Sequence, residues 1–190
     1  MDTKEILAKT LETLKAGGVI LYPTDTVWGL GCDACNEQAV KKVFEIKRRS
    51  EAKSLVLLAS DLDMVAKYVR QIPSVAIDLV EVNDAPMTII YPEGQYLAAS
   101  TMACDGSVGI RIPYGEHFCK EVVGRLRRPL VSTSANISGE STPQDFDSIS
   151  DEIKAAVDYI VPREMDKNSS GRASQIIKLG LGGEVEIIRA

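Results

Sequence analysis

Short apolar runs of four or five residues recur along this chain. Val19-Ile20-Leu21-Tyr22, Leu55 to Leu58, Met87 to Tyr91, Val108 to Ile112 and Pro129 to Ser132 are the clearest. Runs this short suit buried strands and fall well below the length of a helix. The segments between them carry helical periodicity. Asp2 with Glu5 has the pattern of a capping box, followed by Ile6, Leu7, Leu11 and Leu14 on one face and ended by Gly17-Gly18. Asn36 can cap a second helix with Ala39, Val40, Val43, Phe44 and Ile46 on its apolar side. Residues 61–70, 73–82, 117–126 and 144–157 also read as helices. Tyr159-Ile160-Val161, Ser174 to Leu179 and Val185 to Ile188 read as closing strands. Gly180-Leu181-Gly182-Gly183 predicts a hairpin between the last two. Interleaved helices and strands give an α/β class, and the hairpin makes the sheet mixed rather than purely parallel. The 190 residues show no linker, repeat or low-complexity tract, so residues 1–190 are expected to form a single domain.

The charge balance is 22 − 27 = −5, which argues against a surface built for tight nucleic-acid binding. Cations are nonetheless concentrated at 47–53 and at Arg125-Leu126-Arg127-Arg128, and an acidic protein can hold one basic cleft. Lys47-Arg48-Arg49, with Lys53 close behind, falls at a predicted helix C-terminus. Far along the chain, Ser132-Thr133-Ser134-Ala135-Asn136 leads through Ser138-Gly139 to Thr142-Pro143. Fixed cations and a small-residue loop rich in hydroxyls together suit an anion such as a nucleotide's phosphates. Arg49 and Lys53 are the leading phosphate ligands, with Lys47 alongside, because guanidinium forks pair with phosphate oxygens. The competing reading is a solvated helix end whose cations complement the dipole.

There is no Walker A run and no G-x-G-x-x-G, so a nucleotide would be held by side chains and loop amides. Tyr22-Pro23-Thr24-Asp25-Thr26-Val27-Trp28-Gly29-Leu30-Gly31 reads as a strand end opening into a glycine-containing loop. Tyr22 and Trp28 read as core packing rather than base stacking. Arg111, between Ile110 and Ile112 in a buried strand, needs a partner: either a structural carboxylate or a ligand's carboxylate. Cys32, Cys35, Cys104 and Cys119 match no zinc pattern, and Cys32-x-x-Cys35 reads as small buried thiols rather than a redox pair. The N-terminus has no apolar signal region, and no stretch reaches the ~20 apolar residues of a membrane span. The expectation is a cytoplasmic protein.

Four motifs in chain order carry a family resemblance. Lys47-x-Arg49 with Ser134-x-Asn136 is similar to the paired signature of the YrdC family of threonylcarbamoyl-AMP synthases. Pro23-Thr24-Asp25-Thr26-Val27-Trp28-Gly29-Leu30-Gly31 looks like that family's Pro-Thr-Glu-Thr-Val-Tyr-Gly-Leu-Gly, and Gly109-Ile110-Arg111-Ile112-Pro113 like its Val-Arg-(Ile/Met)-Pro strand. The resemblance runs from about Gly17 to Arg189 and implies a twisted open mixed sheet with flanking helices and a concave basic face. It implies condensation of L-threonine, bicarbonate and ATP, with Mg²⁺, to threonylcarbamoyl-AMP and pyrophosphate, feeding proteins that modify tRNA. Carried onto this chain, it implies a catalytic set of Lys47, Arg49 and Lys53. Arg49, Lys53, Ser107, Ser134, Asn136, Thr142, Ser174 and Arg189 would meet ATP; Thr26, Arg111 and Ser132 would meet threonine. No residues are assigned to a resident metal. The chain departs from the family at Ser50 and Ser54 (prolines in many members), at Leu58, at Pro86-Met87-Thr88 and at Arg172-Ala173-Ser174-Gln175. Its length matches the short form without a further C-terminal domain. The alternative is a YciO-type paralogue that binds nucleotide or double-stranded RNA without synthase activity.

Overall fold

The computed structural model describes residues 2–49, 55–167 and 169–190. Ser50, Lys53 and Ser54 therefore lie outside the described residues. The capping box forms at the start of α1 (Thr3–Lys15): Glu5 N donates to Asp2 Oδ1 at 2.8 Å and Asp2 N to Glu5 Oε2 at 2.8 Å. Asn36 Oδ1 accepts from Gln38 N and Ala39 N at the head of α2 (Glu37–Ile46), as its sequence position predicts. Helices α3 (Leu62–Tyr68), α4 (Ser74–Val82) and α5 (Phe118–Leu126) follow. The last helix, α6, covers only Asp151–Ala156, where the sequence predicts a start at 144. Asp145 explains the difference: its carboxylate accepts from Ser148 N at 2.8 Å and Ser148 Oγ at 2.5 Å, closing a turn instead. Ser150 then caps the helix.

The strands are β1 (Ile20–Tyr22), β2 (Gly29–Gly31), β3 (Val56–Leu58), β4 (Met87–Tyr91), β5 (Val108–Arg111), β6 (Leu130–Ser134), β7 (Tyr159–Ile160), β8 (Gln175–Leu179) and β9 (Val185–Arg189). They form a nine-stranded sheet in the order β7-β1-β2-β6-β3-β5-β4-β8-β9. β1/β7, β3/β5 and β4/β8 pair in parallel and the other neighbours antiparallel, so the sheet is mixed, and the final hairpin β8–β9 is present. β2 is a strand where the sequence reads as a loop. Glycine is a weak strand former, but Gly31 has no room for a side chain. A Cβ there would lie 2.6 Å from Tyr22 Cε1 and 2.9 Å from Val131 O.

Register sorts the two faces. Leu57, Ile110, Ile89, Val131 and Leu30 point one way and pack against Val40, Val43 and Phe44 of α2, Val65 of α3 and Ala76 of α4. On the other face, Leu58, Leu130, Ile20 and Tyr22 pack beneath α1 and α5, against Ile6, Leu7, Leu14, Phe118, Val122 and Val123. α1 and α5 cover only part of that face. The adjoining rows, Ser132-Val56-Gly109-Ile90 and Arg111-Thr88, line an open cavity. Among the described residues no helix is long and apolar enough to cross a membrane.

Two helices end on arginines in the left-handed region, Arg48 (φ 49°) after α2 and Arg127 (φ 58°) after α5. A side chain is strained there and glycine is not. Arg127→Gly is therefore expected to raise stability by about 0.5 kcal/mol and the melting temperature by about 1–2 °C. Thermal unfolding of the variant checks this; a lower melting temperature would contradict it.

Candidate active site

The cavity on the open face has a volume of about 310 Å³, within the size range of small-molecule sites. Its walls bring together segments from the whole chain: Thr24, Thr26 and Val27, Arg49, Thr88, Arg111, Ser132 to Ser134, Thr142, Ala173-Ser174 and Arg189. Eight residues proposed from sequence share this cavity: Thr26, Arg49, Arg111, Ser132, Ser134, Thr142, Ser174 and Arg189. Three of them are arginines, and among the described residues no carboxylate lines the wall. Such a cavity suits an anionic ligand.

Arg49 reaches it through the backbone. Arg48 takes the left-handed conformation, and Arg49 N donates back to Phe44 O at 2.9 Å, closing the end of α2. Burial depresses the pKa of the Arg49 guanidinium. Lys47, two residues earlier, points elsewhere. It is 2% exposed, and its Nζ donates to Ser134 O at 2.5 Å and Asn136 O at 2.7 Å, with Asn136 Oδ1 at 3.5 Å. Ser138 N donates back to Lys47 O at 2.9 Å. The two signature segments are thus bonded to each other, and Lys47 lies behind the cavity wall. Burial, then the neighbouring Arg49 charge, pulls the Lys47 pKa down to about 8.

Asn136 also lies behind the wall. Its Oδ1 accepts from Ser134 Oγ at 2.5 Å, and its Nδ2 donates to Ile137 O at 3.1 Å and Glu140 O at 2.8 Å. The amide braces the loop that presents Ser134. Ser107 is not brought to the cavity either: its N and Oγ both donate to Asp105 Oδ1, at 3.0 and 2.6 Å. Arg189 is fixed by a carbonyl, with Nε and Nη2 donating to Ser174 O at 2.9 and 2.6 Å. Ser174 Oγ meets Thr88 Oγ1 at 2.8 Å. Burial, then the charge of Arg111, lowers the Arg189 pKa.

The Arg111 end has two features the sequence hid. The first is its partner: Arg111 Nη2 lies 3.0 Å from Asp25 Oδ1 and donates to Thr26 Oγ1 at 3.2 Å. Both side chains of the pair are almost wholly buried, yet Arg111 also lines the cavity, so it is at once an ion-pair member and a wall group. Thr24 Oγ1 donates to Val27 O at 2.7 Å, so the 2.9 Å contact between the two threonine hydroxyls has Thr26 as donor. The second feature is a strap. Ser169 Oγ donates to Thr24 O at 2.6 Å, Ser170 N to Asp25 O at 3.0 Å and Gly171 N to Thr26 O at 2.8 Å. Trp28 anchors the strap's start, with its indole N–H donating to Asp166 Oδ2 at 2.7 Å and its ring tilted against Phe146. Trp28 and Tyr22 are core residues, 2% and 0% exposed. The serines of the strap carried no periodic or motif signal; Asp25 stood in the Pro-Thr-x-Thr motif in plain view.

Of the four thiols two are buried, while Cys35, read from sequence as buried, is half-buried and Cys104 is exposed. Cys32 and Cys119 are wholly buried, and burial drives both pKa values up, that of Cys119 to about 12.

A sequence model of the Sua5/YciO/YrdC family, described as telomere recombination, matches residues 12–190, and the chain belongs to this family. It is 30% identical over 191 residues to a threonylcarbamoyl-AMP synthase from Pseudoalteromonas translucida, covering 97% of this chain and 98% of that protein. It is 32% identical over 181 residues to a threonylcarbamoyl-AMP synthase from Marinobacter nauticus, covering 93% and 92%. The crystal structure of P. abyssi Sua5 complexed with L-threonine superimposes with a TM-score of 0.82 at 24% identity, over 94% of this chain and 52% of that one. The chain thus spans about half the length of that Sua5 structure.

The linkage of Lys47 to stability has a definite sign. Its pKa is about 8 in the fold against an ordinary 10.5, so between those values the unfolded chain holds the proton more firmly. The wild type should gain stability over Lys47→Met as pH rises through that window. At neutral pH the variant should already be less stable, by about 2 kcal/mol, because two loop carbonyls lose their donor. Melting curves of both proteins at about pH 7.5 and about pH 9.5 test this, and a gap that narrows at the higher pH would contradict it.

Proposed function

We propose that this protein condenses L-threonine, bicarbonate and ATP into threonylcarbamoyl-AMP, releasing pyrophosphate. The observation that carries the reading is the single cavity in which Arg49, Arg111 and Arg189 converge with the hydroxyls of Thr26, Ser132, Ser134 and Thr142. The relatives named as threonylcarbamoyl-AMP synthases support it, since they match this chain over nearly its whole length.

In this reading Arg111 and Thr26 take the threonine carboxylate and hydroxyl end, with Ser132 beside them. Arg49, Ser134, Thr142, Ser174 and Arg189 take the nucleotide. Lys47 and Asn136 hold the wall. Lys53 is a further phosphate ligand proposed from its place in the motif. Magnesium enters as part of the MgATP substrate, carried by the phosphates, since the wall offers hydroxyls rather than carboxylates.

The chemistry needs little acid–base help. The threonine amine attacks carbon dioxide derived from bicarbonate and forms a carbamate; the proton the amine sheds combines with the hydroxide left by bicarbonate, so that water is the only by-product. A carbamate oxygen, already anionic, then attacks the α-phosphorus in line. The bond from that phosphorus to the bridging oxygen breaks, and pyrophosphate departs with the electron pair. What the protein must supply is alignment of two anions that repel each other, and cations where charge gathers on the leaving group. Guanidiniums lining one cavity supply both. The product would pass to tRNA-modification proteins in the cytoplasm.

Pyrophosphate release by the purified protein with MgATP, bicarbonate and L-threonine, each omitted in turn, tests the proposal. Release should require all three, and Arg49→Ala should lower kcat/KM for ATP on the order of 10- to 100-fold. ATP binding without release would favour a nucleotide-binding paralogue of the YciO type instead.

A further inference from the structure

The ion pair behind the cavity has a feature that packing alone does not require. Asp25 and Arg111 side chains are 1% and 6% exposed, and Asp25 Oδ1 lies 3.0 Å from Arg111 Nη2. Neither carboxylate oxygen accepts a well-aligned hydrogen bond among the described residues, and Arg111 Nε likewise has no acceptor. The contact is thus a close charge pair rather than a two-pronged fork. The guanidinium is held at Nη2 by Asp25 and Thr26 Oγ1, and its Nε has no acceptor among the described residues. A buried polar group left this way is costly unless a ligand completes it.

The backbone of Asp25 is fixed as well. Its carbonyl accepts from Ser170 N at 3.0 Å, between two further strap contacts to Thr24 O and Thr26 O. From α5, Cys119 packs against the pair, and the Asp25 charge is one of the influences raising that thiol's pKa. Asp25 itself does not line the cavity. It cannot touch the substrate and can act only through Arg111.

We propose that Asp25 is a positioning and selectivity residue: it sets the orientation of Arg111 and neutralises it, so that this end of the cavity accepts a monocarboxylate and not a phosphate. The charges of the cavity's arginines differ in their support. Arg189 is held by the carbonyl of Ser174, a neutral acceptor, and keeps its full charge for phosphate. Arg111 is held by a carboxylate and presents a nearly neutral pair with directional donors. A carboxylate meets such a pair through geometry, whereas a polyphosphate, attracted by charge, goes to the other end. One cavity can thereby sort two anionic substrates without a wall between them. The inference rests on the amino-acid and nucleotide reading of the cavity given above.

Asp25→Asn tests it, because the amide keeps the volume and removes the charge. The dissociation constant for L-threonine, measured calorimetrically, and its KM should rise on the order of 10- to 100-fold, while the KM for ATP stays within about 2-fold. Inorganic phosphate should become a competitor of threonine in the variant, at a concentration about 10-fold below any effect on the wild type. A residue that merely stabilised the fold would lower the melting temperature and move both KM values together. That result, or unchanged threonine affinity, would overturn the proposal. Should Asp25→Asn fail to fold, Asp25→Glu carries the test. It keeps the charge but shifts Nη2, so threonine affinity should fall with no new competition by phosphate; wild-type affinity would overturn the proposal. The two readings fail differently. A wild type that binds threonine yet releases no pyrophosphate sinks the synthase alone. A wild type that binds no threonine overturns both.

Discussion

One ammonium group holds the cavity wall in place. Lys47 Nζ is buried and donates to two carbonyls of the Ser134–Asn136 loop, with the Asn136 side-chain oxygen as a longer third partner. Segments almost 90 residues apart, by the 87- and 89-residue separations of those bonds, meet at that point. A lysine suits the position better than an arginine would: its donors radiate from one small atom toward acceptors in different directions, whereas a guanidinium fork is planar. Burying the charge is unfavourable, and the depressed pKa is the sign of that cost. The cost is offset because the loop carbonyls would otherwise sit buried without donors. The same junction fixes the neighbouring residue. Arg48 turns left-handed after Lys47, and Arg49 leaves the helix end aimed into the cavity. The position of Arg49 in the cavity wall therefore follows from the clamp beside it.

The cavity exists because α1 and α5 are too few to cover their sheet face. They bury Leu58 and Leu130 but leave the next row, Val56, Gly109 and Ser132, open. Small residues deepen the open part. Gly29 and Gly109 line it, and a Cβ at Gly29 would lie 3.1 Å from Thr133 O. Its far rim is built by Ala173-Ser174 and by Arg189 from the edge strand. The floor is thus a rigid sheet and the walls are loops tied by side chains to it. Such a division keeps the geometry of charged groups exact enough for preorganisation while the loops carry the chemistry.

Much of this was legible in the sequence because local signals agreed. The Asp2–Glu5 box, the Asn36 cap and the glycine-rich β8–β9 turn each formed where residue chemistry placed them. The motif residues Thr26, Arg49, Arg111, Ser132, Ser134, Thr142, Ser174 and Arg189 share one cavity. What stayed hidden was tertiary. β2 is glycine-rich because Tyr22 lies across Gly31, a contact no pattern announces. α6 starts late because Asp145 spends its carboxylate on Ser148. Lys47 and Asn136 have the residue types of ligands, yet their donors face the loop, and side-chain direction is not written in spacing. Asp25 was visible as one member of a motif, but its partner is 86 positions further on.

The arrangement of charge gives the empty cavity a built-in tension. The whole chain carries a net charge of −5, yet three arginines line one cavity with no lining carboxylate among the described residues. Arg111 depresses the pKa of Arg189, and Arg49 that of Lys47, in both cases after burial itself. These shifts mark lost hydration first and mutual repulsion of the cations second. An anionic ligand in the cavity would offset the mutual repulsion of the arginines that line it. Asp25 offsets the charge of Arg111 at its end of the cavity. On the proposed reading, the more highly charged of two anions is drawn toward Arg189, whose guanidinium rests on the neutral carbonyl of Ser174. On that reading, polarity along the cavity, rather than its total charge, sorts the two substrates.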